Sequence, residues 1–169
     1  YYLTMNGVSI TNPDGPAINN QSDKRVTVIL MEGTNNILTD GPNYAEPPIG
    51  PGGEPEDQDA AFFSEGQLVI TGQGNLQING IGLDEHAIRS DDYIRILDGN
   101  ITIASSANDG IHANDGFYQE GGHISITSAG DGIDAGSYDI IISGGTSVVH
   151  CNGDDVSGIK CDSTLTVSG

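Results

Sequence analysis

The sequence of 169 residues predicts an all-β fold, a parallel β-helix of about six to seven coils with three short strands per coil of about 22 residues. Two observations lead to this prediction. A four-residue pattern, here called the rung, recurs every 22 to 26 residues or so. The chain also has 25 glycines and many Ile, Val and Thr residues between Gly and Asn/Asp pairs, a composition typical of short strands and turns.

The rung consists of a small residue, a large apolar residue, a polar residue and another small residue. Four rungs follow the pattern closely and two earlier segments follow it more loosely. The close rungs are Ala87–Ser90, Gly110–Ala113, Gly132–Ala135 and Gly158–Cys161, and the looser ones are Ala17–Asn20 and Ala61–Ser64. Repetition at a nearly fixed period is the signature of stacked structural units, so the repeat is expected over nearly the whole chain.

Alternation along each rung predicts which side chains enter the core. Parallel strands of adjacent coils lie about 4.8 Å apart, so equivalent residues stack in columns. The inward column holds Ile18, Phe62, Ile88, Ile111, Ile133 and Ile159, and the outward column holds Asn19, Phe63, Arg89, His112, Asp134 and Lys160. The small residues on either side indicate that the interior narrows at the corners.

Each coil divides into three extended pieces separated by turns. One coil has its pieces at 87–90, 93–97 and 100–104, and the next has them at 110–113, 117–119 and 123–127. A propeller blade would need about 40 residues or more per repeat, and a leucine-rich repeat would need its Leu/Asn consensus, which is absent. A three-stranded coil is therefore the architecture that the spacing favours.

Residues 41–59 interrupt this rhythm, and we predict a single domain over 1–169 with a Pro/Gly/acid-rich loop inserted there. The segment has five prolines and five acidic residues after Gly41, a density that cannot join a sheet ladder. It is either a mobile linker or a loop that walls a binding groove or supplies carboxylates to a metal.

The formal charge of −19, from 24 acidic and 5 basic residues, makes nucleic acid and anionic membrane surfaces poor partners. Cations are the natural partners of such a chain, although acidity also simply keeps a surface soluble. The apolar runs are of strand length, so membrane insertion is not expected. Cys151 and Cys161 match no zinc or redox spacing, which favours buried free thiols over a disulfide.

Acidic residues precede the rungs and predict a calcium-binding corner. They are Asp84, Asp109, Asp131, Asp154 and Asp155. Stacking brings these carboxylates close together, and two charges about 5 Å apart repel by roughly 3 kcal/mol at an effective dielectric constant near 20. Calcium, which takes six to eight oxygen ligands in flexible geometry, would relieve this repulsion. The alternative is that each Asp only caps its own turn.

The outward column offers a candidate ligand-binding surface of four residues: Arg89, His112, Asp134 and Lys160. Its mixed charges and hydrogen-bonding groups suit a hydroxyl-rich or carboxylated ligand that lies along the coil axis. The alternative is an ordinary solvated strand face. Aromatic residues in the neighbouring strands could stack on sugar rings, and they are Tyr93, Phe117, Tyr118 and Tyr138.

Together with the rungs, four segments give the chain a family resemblance: Leu3–Asn12, Val26–Asn36, Phe63–Gly72 and Asn108–Ala113. In their order and spacing the chain resembles a bacterial family of carbohydrate-binding, polysaccharide-lyase-like proteins. The resemblance implies a secreted or cell-surface, right-handed parallel β-helix that binds calcium and attaches to plant-type polysaccharide, either cellulose or acidic galacturonate chains. It also implies the five corner aspartates as calcium ligands, and it does not by itself imply catalysis.

Three classes of function are compatible with these observations. A non-catalytic binding module would use calcium to stiffen the coils and to bridge uronate carboxylates. A calcium-dependent polysaccharide lyase would need a base, for which Lys160 or Arg89 is the candidate. The third class is structural: because the chain begins in a strand, ends in mid-coil and has no capping helix at either end, it is either a fragment of a longer β-helix or a filament subunit that stacks head to tail.

Overall fold

Nineteen short strands, β1–β19 in chain order, wind into a β-solenoid of about seven turns with three strands per coil. The computed structural model describes residues 1–169 and contains no helix, hence none that is long and apolar enough to cross a membrane. The predicted all-β parallel β-helix is confirmed.

The strands form three parallel sheets, each of which takes one strand from every coil. The first sheet holds β1 (Tyr2–Met5), β4 (Val26–Leu30), β7 (Leu68–Gly72), β10 (Ile94–Ile96), β13 (Phe117–Gln119), β16 (Ile140–Ile142) and β19 (Leu165–Val167). The second sheet holds β2 (Ser9–Thr11), β5 (Asn35–Thr39), β8 (Asn75–Asn79), β11 (Asn100–Ser105), β14 (His123–Ser128) and β17 (Thr146–Cys151). The third sheet holds β3 (Ile18–Asn20), β6 (Ala60–Ser64), β9 (His86–Ser90), β12 (Ile111–Ala113), β15 (Ile133–Asp134) and β18 (Ile159–Lys160).

The register of the third sheet stacks the rungs one above another. Ile111 pairs with Ile88 on one side and with Ile133 on the other, and the same register continues to both ends of the sheet. The inward column is therefore continuous from Ile18 to Ile159, in the order that alternation predicts. Its middle members are fully buried, whereas these two end members are partly exposed because each is covered on one side only.

The core is one continuous apolar cluster of 26 buried residues that runs along the coil axis. Strand β4 of the first sheet alternates strictly, so that Val26, Val28 and Leu30 are buried while Thr27 and Ile29 are partly exposed. Full burial of one such side chain contributes about 1.5–3 kcal/mol. Stacked aliphatic columns, rather than any single residue, therefore hold the coils together.

Two members of the outward column are buried, which differs from the expectation that this column faces solvent. Phe63 is fully buried, with the guanidinium of Arg89 5.9 Å from its ring centroid. Asp134 is 5% exposed, because the Lys160 side chain lies against it with Nζ 2.9 Å from Oδ2. The alternation is correct, but long neighbouring side chains cover these two residues.

Residues 41–59 lie outside the three sheets and make one isolated antiparallel bridge, between Ile49 and Pro55. The segment is attached to the coil near both of its ends. The Tyr44 hydroxyl donates to Asp40 Oδ2 at 2.7 Å, and Gln21 Nε2 donates to the Asp57 carbonyl at 2.8 Å. A shallow groove lies between the segment and the turn that carries Glu85. This geometry favours a loop that walls a groove over a mobile linker.

Gly132 shows why the first position of the rung must be small. A Cβ atom at this position would overlap the Gly158 carbonyl oxygen of the next coil and the Val149 side chain. The N–H of Gly132 donates to Ser157 at 2.9 Å, so the backbone cannot move away without loss of a bond between coils.

We expect Gly132→Ala to lower the free energy of unfolding by about 1–3 kcal/mol, because the added methyl group overpacks a close backbone contact. Gly52→Ala is the matched control, since a Cβ there meets nothing within 4 Å. Its effect should be within about 0.5 kcal/mol. Urea denaturation of both variants measures the difference, and equal stability would contradict the close packing of the corner.

Candidate functional site

The five predicted calcium ligands all lie at the corner that leads into the third sheet, in the turns before β9, β12, β15 and β18. In the middle of this column each carboxylate binds the backbone of the next coil. Asp109 Oδ1 accepts the N–H of Asp131 at 2.8 Å, and Asp131 Oδ1 accepts the N–H of Ser157 at 2.6 Å. Asp109 and Asp131 therefore act as hydrogen-bond acceptors between coils.

The second oxygen of each of these carboxylates faces a nitrogen. Asp109 Oδ2 is 3.3 Å from His86 Nδ1 and 3.0 Å from His112 Nδ1, and Asp131 Oδ2 accepts a bond from Lys160 Nζ at 2.9 Å. Backbone N–H groups and the Lys160 ammonium thus offset part of the repulsion that stacking creates. Calcium, which prefers oxygen ligands, fits poorly at these two aspartates because it would have to displace those groups.

The remaining predicted ligands, Asp84, Asp154 and Asp155, are exposed. Asp84 and Asp155 occupy the left-handed region, with φ of 63° and 56°, at the turns that precede their rungs. Their carboxylates make no ion pair with the protein. Of the predicted ligand set, these three residues have free oxygens, and the calcium assignment stays a prediction.

The predicted ligand column is brought together as expected, since Arg89, His112, Asp134 and Lys160 are neighbours in register on the third sheet. Its charges are engaged within the protein. Arg89 pairs with Asp59 and Asp91, and Lys160 Nζ lies 2.9 Å from both Asp131 and Asp134.

The two basic side chains of this column are poor candidates for the base of a lyase. Hydrogen bonds from Lys160 to Asp131 and Asp134 raise the pKa of its ammonium above the usual value, so the side chain stays protonated. Arginine remains charged at any physiological pH. Neither residue therefore has the free lone pair with which a base would take a proton from a sugar ring.

Glu85 lies in the groove under residues 41–59 and has no partner cation. Burial, together with the nearby carboxylates of Asp59, Asp40 and Asp84, raises its pKa to about 7. Asp40 is satisfied, because it accepts the N–H groups of Ile81 and Gly82. Glu85 is thus the acid at this corner whose charge the fold leaves least compensated.

A different surface carries tyrosine and arginine side chains. On the outward side of the first sheet they form what we call the Tyr–Arg face, consisting of Tyr2, Arg25, Tyr93, Arg95 and Tyr118. Thr27, Val69 and Leu97 complete a shallow groove there.

The aromatic and cationic groups of the Tyr–Arg face contact one another. Tyr93 and Tyr118 are edge-on with ring centroids 5.9 Å apart, and the guanidinium of Arg25 lies 6.0 Å from the Tyr93 centroid. Arg95 Nε donates to Glu120 at 2.6 Å. Arg25 donates only through Nε, to Gln67 at 3.1 Å, and is the one basic residue of the chain that makes no ion pair.

Comparison with known proteins identifies the family. The sequence model of the family described as "Carbohydrate-binding domain-containing protein" matches residues 1–169. The chain belongs to this carbohydrate-binding family. The family resemblance inferred from the sequence segments is confirmed.

One relative of the carbohydrate-binding family is a carbohydrate-binding domain-containing protein of Acetivibrio thermocellus, 31% identical over 103 residues. The match spans 60% of this chain and 33% of the relative, so the chain corresponds to about a third of that protein. A solved structure, the polysaccharide lyase-like protein from C. thermocellum in its gadolinium derivative, superposes with a TM-score of 0.80 at 24% identity. The superposition covers 99% of this chain and 75% of the chain of the solved structure. This similarity independently shows the solenoid fold.

For a carbohydrate-binding chain, the Tyr–Arg face is the surface that sequence reasoning missed in part. The sequence predicts Tyr93 and Tyr118 as possible sugar contacts and makes no such prediction for Tyr2, Arg25 and Arg95. The signal was the pattern Ile94-Arg95-Ile96, in which an arginine takes the outward position between two core residues.

We expect Glu85→Gln to stabilise the metal-free protein at pH 8 and to leave it unchanged at pH 4. The folded-state pKa of about 7 lies above the ordinary value of 4.5 for a glutamate, so the folded state holds its proton more tightly and stability falls as the pH rises from 4.5 to 7. Removal of the charge should restore about 1–2 kcal/mol at pH 8, after allowance for solvent screening at this half-buried group. Thermal denaturation at both pH values measures it. Glu32→Gln, on an exposed turn, is the control, and an equal gain from both variants would contradict the assignment.

Proposed function

We propose that this chain binds acidic polysaccharide along the Tyr–Arg face, without cleaving it. The observation that carries the proposal is the unpaired guanidinium of Arg25 beside the ring of Tyr93. In a chain of charge −19, a cation without an acidic partner is the group most available to a carboxylate of a ligand.

The Arg25 guanidinium is positioned as a carboxylate receptor. Its Nε is held by Gln67, which in turn donates from Nε2 to Asp92 at 3.1 Å, while both Nη atoms are without a protein partner. A guanidinium with free Nη atoms can donate two parallel hydrogen bonds to one carboxylate, which is the strong, directional form of this interaction. Uronate sugars carry such a carboxylate on each ring.

The tyrosines supply the apolar half of the surface. Tyr2 is 81% exposed, and the Tyr93 and Tyr118 side chains lie along the same face. A tyrosine offers a rigid apolar ring for the flat face of a sugar and a hydroxyl for its oxygens. A partly exposed aromatic ring next to a guanidinium thus matches a sugar ring that is apolar on its faces and charged at its edge.

Calcium and location outside the cell belong to the same proposal. Repulsion between a polyuronate and the acidic remainder of the chain would weaken binding unless cations bridge the two. The exposed Asp84, Asp154 and Asp155 have the free oxygens that calcium takes. Plant-type polysaccharide lies outside cells, so we propose a secreted or cell-surface protein. Head-to-tail stacking of subunits stays a prediction.

We expect Arg25→Ala to weaken binding to polygalacturonate at least tenfold, because a charge-assisted hydrogen-bond pair contributes about 1.5–3 kcal/mol. Affinity electrophoresis in gels that contain polygalacturonate measures the loss. Arg25→Lys, which keeps the charge but not the planar fork, should recover binding only in part. Gln77→Ala on the second sheet is the control and should bind as wild type does.

Two results would contradict this site. If Arg25→Ala binds as wild type does and Gln77→Ala loses binding, the ligand binds to the second sheet instead. Retention on cellulose with none on polygalacturonate would show that the ligand is a neutral glucan. Incubation of the wild type with polygalacturonate should produce no unsaturated product in the ultraviolet spectrum, and its appearance would show a lyase.

We expect calcium at a hundredfold excess over its dissociation constant to stabilise chelator-treated protein by about 2.7 kcal/mol. Thermal denaturation with calcium, with magnesium and without either ion measures the shift. An Asp154→Asn/Asp155→Asn variant should lose most of the calcium effect, whereas Asp14→Asn, at an exposed turn of another coil, should keep it. A melting temperature that calcium does not change would contradict calcium binding.

A further inference from the structure

We propose that His86, Asp109 and His112 form a binding site for a transition-metal ion of the Zn²⁺ class. The site is separate from the Tyr–Arg face and uses none of the exposed aspartates as a ligand, so it does not depend on the proposed polysaccharide or calcium function. His86 begins β9, and Asp109 and His112 flank the start of β12, so an ion held by all three would join two adjacent coils.

The ligand atoms are spaced as a metal ion requires. Zn–N and Zn–O bonds of about 2.0–2.2 Å in a tetrahedron place neighbouring ligand atoms roughly 3.3 Å apart. Asp109 Oδ2 lies 3.3 Å from His86 Nδ1 and 3.0 Å from His112 Nδ1. One ligand atom from each of the three residues lies within 4.8 Å of the others. Two edges of the tetrahedron are thus already near their final length.

The contact between His86 and Asp109 places two lone pairs against each other. His86 Nδ1 accepts the N–H of Asp109 at 3.3 Å, so this nitrogen is directed at Asp109 without a proton of its own. The carboxylate oxygen Oδ2 lies at the same distance from it. A cation bound between the ring nitrogen and the carboxylate oxygen would turn this repulsive contact into an attractive one. The hydrogen bond from the Asp109 N–H to His86 Nδ1 is long and therefore weak, so a metal ion could replace it.

The carboxylate is fixed in the orientation that a ligand needs. Asp109 Oδ1 is held by the N–H of Asp131 at 2.8 Å, which directs Oδ2 towards the two imidazole rings. The rings lie side by side, with centroids 4.5 Å apart and an interplanar angle of 32°. Hydrogen bonds of this kind, which orient a ligating group from behind, are a regular feature of metal sites in proteins.

The cluster is enclosed but not sealed. The side chains of His86 and Asp109 are each 9% exposed, and that of His112 is 23% exposed. An ion can therefore enter along His112, and a solvent molecule can complete the coordination there. Two imidazole nitrogens and one carboxylate select Zn²⁺, Cu²⁺, Ni²⁺ or Co²⁺ over Ca²⁺ and Mg²⁺, which prefer oxygen.

The histidines of this chain provide their own control. Four histidines are present, of which two are in the cluster and two, His123 and His150, lie on the second sheet. Tag-free, chelator-treated protein is titrated with Zn²⁺ by calorimetry. We expect one equivalent to bind in the wild type and in the His123→Ala/His150→Ala variant, and His112→Ala to bind at least tenfold more weakly.

Cobalt gives a second readout that reports the ligands directly. Co²⁺ added to the wild type should produce the visible absorption of a low-coordinate site, and His112→Ala should lose it while its circular dichroism spectrum stays that of the folded solenoid. Excess Ca²⁺ should not displace the Co²⁺ signal. Failure of the wild type to bind Zn²⁺, or equal binding by wild type and His112→Ala, would overturn the proposal. Loss of binding in His123→Ala/His150→Ala would also overturn it, because the metal would then be on the second sheet.

Discussion

The structure depends on one constraint, the parallel hydrogen-bonded register between successive coils. Each strand pairs with its equivalent one coil before and one coil after, so a residue type chosen at one position is repeated above and below itself. The aliphatic columns benefit, because Ile88, Ile111 and Ile133 pack directly upon one another. The same register destabilises charged columns, because like charges then stack at roughly the spacing of adjacent strands and repel one another.

Other groups of the chain compensate part of this repulsion between stacked carboxylates. Backbone N–H groups of the following coil satisfy Asp109 and Asp131, and Lys160 bridges two carboxylates. Arg89 is likewise held between Asp59 and Asp91. Four of the five basic residues make an ion pair with a carboxylate of the chain, which leaves Arg25 as the unpaired cation. The acidic corner is consequently a structural feature at its centre, and the tyrosine-rich side of the solenoid is the better place for a sugar ligand.

The columns could be predicted from the sequence because the repeat fixes both register and alternation. Ile18 through Ile159 stack as expected, and the outward column from Arg89 to Lys160 does so too. The partners of these residues could not be predicted in the same way. Asp59 reaches Arg89 because residues 41–59 leave the coil and return, and no periodicity describes the path of such a segment. The Tyr–Arg face combines the start of β4 with β10 and β13. To predict that His86 and His112 are neighbours, one would need the directions of their side chains as well as the strand register.

The central claim is that the side of the solenoid formed by the first sheet receives an acidic sugar chain. Nuclear magnetic resonance of the labelled protein, titrated with a short galacturonate oligomer, tests it most directly because each backbone amide reports its own surroundings. We predict saturable changes in the backbone amide chemical shifts of β4, β7, β10 and β13. The affected amides should cluster around Arg25 and Tyr93. Changes confined to the second or third sheet would contradict the account.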